Sequence, residues 1–472
     1  MADRLTSLDT SFLYLEDRST VMHVGSVMVF DPPDGGLDHE RMMRYIAGRI
    51  AHAPRYRQRL KWVPGHLAKP VWVDDPSFDL GYHVRRSALP RPGSDAQLEE
   101  FVARVQPRHL DRSRPLWEVY LIEGLEHGRF AIVTKTHQAL VDGITALDIG
   151  QVLVADVPGW EVYPGQEWRP RPIPSDLSLV TSAVTDLVKG PRAMLDAVRG
   201  GVEEFKELGE RTASGVGSLA RTVFKGAARP APTSPLNAEV GSARRFVMVG
   251  TDLAAYRAVR AHAARGPHAK DVTVTDVVLA TLTGALRAWL LTRGEAVHGS
   301  SVVRALVPVS VADETGARFN QLAACLVDLP VGEPAPSVRL HQVSHLMRQQ
   351  LAGGRAVPAD QLVDLAGFAP PTLHSMGARL GLAMSKRLFN LIVTNVPGPQ
   401  YPLYAGDAHM LSTYPVIPLA QGQALAVGLT SYEGGVYYGL NADRDAMPDV
   451  EVLGQAIVDA LAELSLDGDG GR

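Results

Sequence analysis

The sequence predicts a mixed α/β chain of two domains, and three observations carry that expectation. At 472 residues the chain exceeds what one hydrophobic core ordinarily organises, so two units of comparable size are expected. Strand-like and helix-like apolar patterns alternate in the first part of the chain and resume in the second half. Between them, from about Pro158 to Pro235, prolines crowd at Pro158, Pro164, Pro170, Pro172 and Pro174, and the stretch ends in Arg229-Pro230-Ala231-Pro232, which is the composition of a crossover rather than a core. The expected division is residues 1–157, a crossover 158–240, residues 241–466, and a frayed tail 467–472.

The elements follow in order. Ser11 to Phe30 alternates and runs apolar (SFLYLE, then MHVGSVMVF) and closes on turn chemistry at Asp31-Pro32-Pro33-Asp34-Gly35-Gly36, which reads as strand then turn. Leu37 to Ile50 has helical spacing. Trp117 to Ile122 and Phe130 to His137 read as strands parted by a turn at Glu126-His127-Gly128, and Ile144, Leu147, Val152 and Leu153 fall at helical spacing after them. Within the crossover, Leu177, Val180, Val184 and Leu187, then Leu195, Val198, Val202, Phe205 and Leu208, fit helices with one apolar face. That face either packs on the body or docks on a lipid surface. The second half predicts a strand at Arg245–Gly250, a helix through His262, and a helix after Thr275. Strands at Val302–Val311 and Leu322–Leu329, a helix at Ser337–Leu351, and a strand at Leu388–Asn395 come next. A hairpin of Ala424–Thr430 with Gly435–Leu440 and a final helix Val450–Leu464 complete it.

Composition narrows the function. Hydrophobic residues make up 46% and charged residues 21%, a globular balance. Lys plus Arg total 47 against 51 Asp plus Glu, so no basic field exists to hold a nucleic-acid backbone, and no nucleic-acid partner is expected. Cys325 is the sole cysteine, which rules out an intrachain disulfide and favours a cytoplasmic setting. The opening MADRLTSLDTSFLYLED has no apolar run of signal-peptide length. Val277 to Leu291, bounded by Asp276 and interrupted by Arg287, is too short to span a bilayer and reads as a buried helix.

Common catalytic signatures are missing. There is no G-x-S-x-G elbow, P-loop, G-x-G-x-x-G or H-E-x-x-H. His341 and His345 share a helix face, but no third ligand accompanies them, so no metal is expected. The informative segment is Lys135-Thr136-His137-Gln138-Ala139-Leu140-Val141-Asp142-Gly143, a strand end entering a turn, where a sheet commonly presents reactive groups.

That segment resembles the HHxxxDG signature of the wax ester synthase/diacylglycerol acyltransferase family and its relatives among condensation domains and chloramphenicol acetyltransferases. The resemblance extends through LTSLDTSFLYLED and MHVGSVMVFD, LDRSRPLWEVYLIEGL with Pro115-Leu116-Trp117, RALVPVSV from Arg304, Thr394-Asn395-Val396-Pro397-Gly398-Pro399, and GLNADRDAMPDVEVL. It implies two chloramphenicol-acetyltransferase-like domains with a channel between them. It also implies acyl-coenzyme A as a substrate with no resident cofactor, and diacylglycerol or a fatty alcohol as acceptor. Lipid products imply a cytoplasmic protein with peripheral contact to membrane or lipid inclusions.

In such proteins the second histidine takes the acceptor's proton, a task that suits a ring titrating near neutrality. Here Gln138 stands in that position and His137 in the first. A glutamine amide orients a hydroxyl but cannot act as base. The sequence therefore nominates His137, reoriented by a bulge or early turn, with Gln138 beside it and Asp142 and Gly143 shaping the turn. Thr273-Val274-Thr275-Asp276 resembles the family's asparagine-aspartate block with Thr275 in the asparagine place, either an altered site or an acceptable helix cap. Asn395 fits the family pattern and is expected to polarise the carbonyl or support the channel.

Two basic runs, Arg55, Arg57, Arg59 and Lys61, and Arg104, Arg108, His109, Arg112 and Arg114, suit either coenzyme A phosphates or a solvated face. Three functions stay open at this point: an acyl-coenzyme A dependent O-acyltransferase, an inactive relative that binds acyl-coenzyme A or lipid, and an amide-forming condensation enzyme.

Overall fold

The computed structural model describes residues 3–32, 36–141, 149–161, 168–185, 230–264, 272–311, 321–352, 357–358 and 388–469. The first part carries β1 (Asp3–Arg4), α1 (Ser7–Leu15), β2 (His23–Phe30), α2 (His39–Ala51), β3 (Gln58–Lys61), β4 (Val71–Asp74), α3 (Leu80–His83) and β5 (Val84–Ala88). It continues with α4 (Asp95–Val105), β6 (Trp117–Glu123), β7 (Phe130–His137), α5 (Ile149–Leu153) and a helix α6 over 176–185. The second part carries β8 (Arg244–Asp252), α7 (Leu253–Ala263), α8 (Val274–Thr292), β9 (Val303–Val311), β10 (Gln321–Leu329), α9 (Pro336–Ala352) and β11 (Val357–Pro358). After these come β12 (Leu391–Pro397), β13 (Tyr404–Ala405), β14 (Ala408–Val416), β15 (Leu425–Tyr432), β16 (Gly435–Asp443) and α10 (Val450–Asp469).

Two mixed sheets organise these elements, as expected for the fold class. One has the order β13-β14-β2-β7-β6-β5, the other β11-β10-β9-β12-β15-β16-β8, and a small third sheet joins β1, β4 and β3. The expected hairpin of β15 with β16 forms in antiparallel register from Leu425↔Ala442 to Tyr432↔Gly435.

Several expectations need correction. Ser11 to Leu15 is helix, not strand, because Thr6 and Asp9 form a capping box that starts α1. The predicted tail is helical through Asp469. Leu187, the Leu195–Leu208 pattern, Ile144 and Leu147 lie outside the described residues. Sequence spacing gave no sign of β14, which leaves its own half and pairs antiparallel with β2, Thr413 opposite Met28 and Val416 opposite Gly25. The first sheet therefore takes a strand from beyond residue 400.

Close backbone approach makes that crossing tight. A side chain on Gly439 would place its first carbon 1.9 Å from the Pro415 carbonyl oxygen, and one on Gly428 would meet the Pro415 side chain at 2.9 Å. Only glycine lets β15 and β16 lie this near β14.

The largest core is built on α8, whose residues Val277 to Leu286 are all buried among Tyr438, Leu440, Leu453 and Ile457. α8 is long and apolar enough to cross a membrane by composition, but 72% of its most apolar window is buried inside the protein. It is a core helix. A second core, with Phe30, Ile46, Trp117, Phe130 and Ile132, lies under the first sheet, so the end of β7 is held rigidly from below.

Candidate active site

β7 ends where its ladder does. His137 is still paired, opposite His23 of β2, and its N–H donates to the Leu116 carbonyl at 2.9 Å. The next residue, Gln138, donates its N–H the other way, to the Met22 carbonyl at 2.8 Å. The chain then turns at once, with Leu140 N–H on the His137 carbonyl (2.8 Å) and Val141 N–H on that of Gln138 (3.2 Å). Successive side chains of a strand face opposite ways. The consequence is a buried His137, 1% exposed, beside a partly exposed Gln138.

The turn begins one residue too late to swing His137 outward, and this corrects the expected reorientation. Its Nδ1 accepts the Ala139 N–H at 3.0 Å, so the ring proton sits on Nε2, which stands 3.4 Å from Glu16 Oε2. Neither nitrogen is presented to a substrate in this geometry. The Gln138 amide makes no hydrogen bond to any described residue. Asp142 and Gly143 lie outside the described residues.

Sequence reasoning missed the charge that organises this layer. Glu16, its side chain 3% exposed, meets His23 Nε2 at 3.2 Å, His109 Nδ1 at 3.3 Å and Arg112 at 2.6 Å, besides His137. Burial alone would push the Glu16 carboxyl up, but its contacts with His137 and His23 outweigh that and hold it well below the usual carboxylate range. Burial pushes His23 down to about 4, against the pull of Glu16. His23 Nδ1 faces the Gln106 carbonyl at 3.1 Å, so both its nitrogens meet acceptors and the neutral ring satisfies only one.

The cluster borders the seam between the halves. A small cavity there is lined by His23 and Gln106 from one side and by Arg244, Val416 and Asn441 from the other. Arg49 fixes the far side of the motif: its guanidinium donates to the carbonyls of Val152 (2.7 Å) and Val154, closing the end of α5. No signal marked Arg49 in advance, whereas Glu16 sits inside the opening block that carried the resemblance.

The other nominated residues form a second group. Asn395 Nδ2 donates to Thr275 Oγ1 at 3.2 Å, linking β12 to the first turn of α8, and both side chains are partly exposed. Thr275 is not the cap of that helix. Thr273 is, and Asp276 is its capping-box partner, accepting the Thr273 N–H at 2.8 Å while buried to 3% exposure. Asp276 is therefore occupied with starting α8 and not open to a ligand. His341 and His345 bond locally to the Ser337 carbonyl and to Gln349.

Comparison with known proteins sets this geometry among relatives. Residues 5–278 match the model of the wax ester synthase/diacylglycerol acyltransferase catalytic domain, and residues 319–465 match that family's C-terminal domain. A probable diacylglycerol O-acyltransferase of Mycobacterium tuberculosis, tgs1, is 34% identical over 98% of this chain and 96% of its own length. A second from the same organism, tgs3, is 45% identical over 55% of this chain and 96% of its own length. Among solved structures, the wax ester synthase/diacylglycerol acyltransferase of Marinobacter aquaeolei VT8 superposes with a TM-score of 0.67 at 29% identity, covering 99% of this chain and 100% of that one. A condensation domain of the CDA synthetase shares the fold at 16% identity, TM-score 0.56, covering 98% and 96%.

Proposed function

This chain belongs to the wax ester synthase/diacylglycerol acyltransferase family, and on that premise we propose that it moves a fatty acyl group from a coenzyme A thioester to the hydroxyl of a diacylglycerol or long-chain alcohol. The observation that carries the reading is the match of the catalytic-domain model over residues 5–278. Condensation-type amide formation rests on likeness of fold alone.

The bonds balance without a histidine base. The alcohol oxygen attacks the thioester carbonyl, the C–O bond forms, the C–S bond breaks, and the alcohol proton ends on the departing sulfur. A thiol titrates near about 8.5, so the sulfur leaves readily and keeps that proton near neutrality. Gln138 accepts a hydrogen bond from the attacking hydroxyl through its amide oxygen and aligns it. Alignment survives; proton removal by a side chain does not. The cost is the contribution of a general base, roughly 10²- to 10⁴-fold in rate.

The test is ester formation by purified protein from oleoyl-coenzyme A and dioleoylglycerol, followed by mass spectrometry, for the native chain and for Gln138→His. Slow turnover that rises in the variant supports the reading. Ester from neither protein, with acyl-coenzyme A demonstrably bound, overturns it. That result would favour the second reading, a relative that holds acyl-coenzyme A or lipid without turnover, whose support is the burial of the His137 ring with its Nδ1 on the Ala139 N–H and its Nε2 toward Glu16.

We also propose peripheral contact with a lipid surface in the cytoplasm. Leu177 and Val184, seven residues apart and so on one face of α6, are 77% and 47% exposed. Flotation with phosphatidylglycerol vesicles, lost in Leu177→Ser/Val184→Ser, is the expected result; flotation unchanged by those substitutions would remove the support.

A further inference from the structure

The basic run at residues 55–61 is sorted by its partners. Arg55 pairs with Asp3, Arg59 stands 3.7 Å from Asp75, and Lys61 reaches Asp176 at 2.8 Å. Arg57 differs from all three. Its guanidinium meets no carboxylate and no hydrogen-bond acceptor among the described residues, and its Nε is buried without a partner. It lies instead beside a pair of rings, 5.4 Å from the centre of Trp168 and 5.9 Å from that of Phe78, which themselves meet edge to face at 6.2 Å. Burial lowers its pKa, though a guanidinium stays charged throughout the physiological range.

A half-buried, unpaired guanidinium is costly unless an anion meets it. Its planar fork matches phosphate oxygens, and the partly exposed Trp168 beside it offers a surface on which a nucleobase stacks. The position suits a donor whose reactive end lies at the end of β7. The Tyr56 carbonyl, one residue before Arg57, accepts the Trp117 indole N–H at 2.7 Å, and Trp117 lies opposite Thr136, next to His137. Arg57 is thus tied to the motif strand through one side chain, yet stands off from it, as the charged end of a thioester carried on a long pantetheine arm must.

We propose that Arg57, beside Trp168 and Phe78, is the subsite for the phosphorylated adenosine of the coenzyme A donor. The proposal rests on the thioester reading above, and the experiment separates the two. Binding of adenosine 3′,5′-bisphosphate is followed by tryptophan fluorescence, and transfer is compared between oleoyl-coenzyme A and oleoyl-N-acetylcysteamine, which carries the thioester without the nucleotide. Arg57→Gln is expected to weaken bisphosphate binding by about tenfold or more, and Arg57→Lys by less, because a point charge replaces the fork. The preference for oleoyl-coenzyme A over the truncated donor is expected to fall by the same factor in Arg57→Gln.

Circular dichroism confirms that the variants fold; should Arg57→Gln not fold, Trp168→Leu takes its place with the same expectation. Bisphosphate binding unaltered by the folded variants overturns the subsite, as does inorganic phosphate binding as tightly as the nucleotide. Equal use of both donors by the native protein also overturns it while leaving thioester transfer intact. Nucleotide binding that depends on Arg57 with no transfer from either donor would keep the subsite and sink the transferase.

Discussion

The two halves meet at a seam, and each brings a polar group of a different kind. On the first sheet, four basic side chains converge on the buried Glu16 directly under the motif strand. On the second, one amide meets one hydroxyl, Asn395 on Thr275, at a helix start fixed by neutral and singly charged caps. The first group is one buried carboxylate facing a guanidinium and three imidazoles in a setting of low dielectric, where removing the carboxylate leaves its donors without their shared acceptor. The second is a single hydrogen bond at a partly wet edge. The difference teaches how each group depends on its surroundings: the Asn395–Thr275 pair is partly exposed and rests on one hydrogen bond, whereas Glu16 is buried among four partners.

Four substitutions sharpen or break that contrast. The largest effect is expected from Gln138→His, a rise in kcat of about 10²- to 10⁴-fold; a variant no faster than the parent would show that the strand end is not where the proton leaves. Next is Glu16→Gln, which strands His23, His109, His137 and Arg112 around a neutral group and is expected to cost ~3–5 kcal/mol in urea unfolding. Because its folded pKa is depressed, the stability Glu16 supplies is present above about pH 4.5 and is lost as the pH falls below it. A loss under about 1 kcal/mol would mean the four contacts do not act together.

A smaller, pH-dependent effect is expected at Glu99 on α4, which accepts the Met248 N–H of β8 at 2.7 Å and so clasps the two halves. Burial, with Asp95 and Glu451 adding to it, pushes this carboxyl up from 4.5 to about 7. Between those values the folded protein keeps a proton that the unfolded chain has released, so stability falls as the pH rises through the window, by about 3 kcal/mol in total. Glu99→Gln keeps an acceptor for Met248 and is expected to melt higher than the parent at pH 8 and alike at pH 4; equal melting at both would show that the carboxyl is not desolvated. The smallest effect, within about 1 kcal/mol, is expected from Thr275→Asn, since one hydrogen bond is traded for another.

Much of this was readable in the chain itself. Period-two runs such as Phe130–His137 and the β15–β16 hairpin declare themselves because one residue in two must face a core. Ser11–Leu15 misled because an apolar alternation was read without the Thr6–Asp9 capping box that outweighs it. β14 escaped because His409, Ser412, Thr413 and Tyr414 carry no clean alternation, and its pairing partner β2 lies nearly 400 residues earlier in the chain. For the site, the strand end and the turn that follows it were legible. The convergence on Glu16 was not, since His23 and His137 meet through strand pairing and Glu16, His109 and Arg112 reach them from connecting segments, which no local pattern reports.

The crossing of β14 has a consequence for how the protein is made. Until residues 408–416 leave the ribosome, β2 presents an open edge with unsatisfied backbone groups, and at ~5–20 residues per second that interval lasts on the order of tens of seconds. A polypeptide released early, or cut before that strand, would carry a sticky flank instead of a finished domain, so truncated products of this gene should be found in aggregates or with chaperones rather than free.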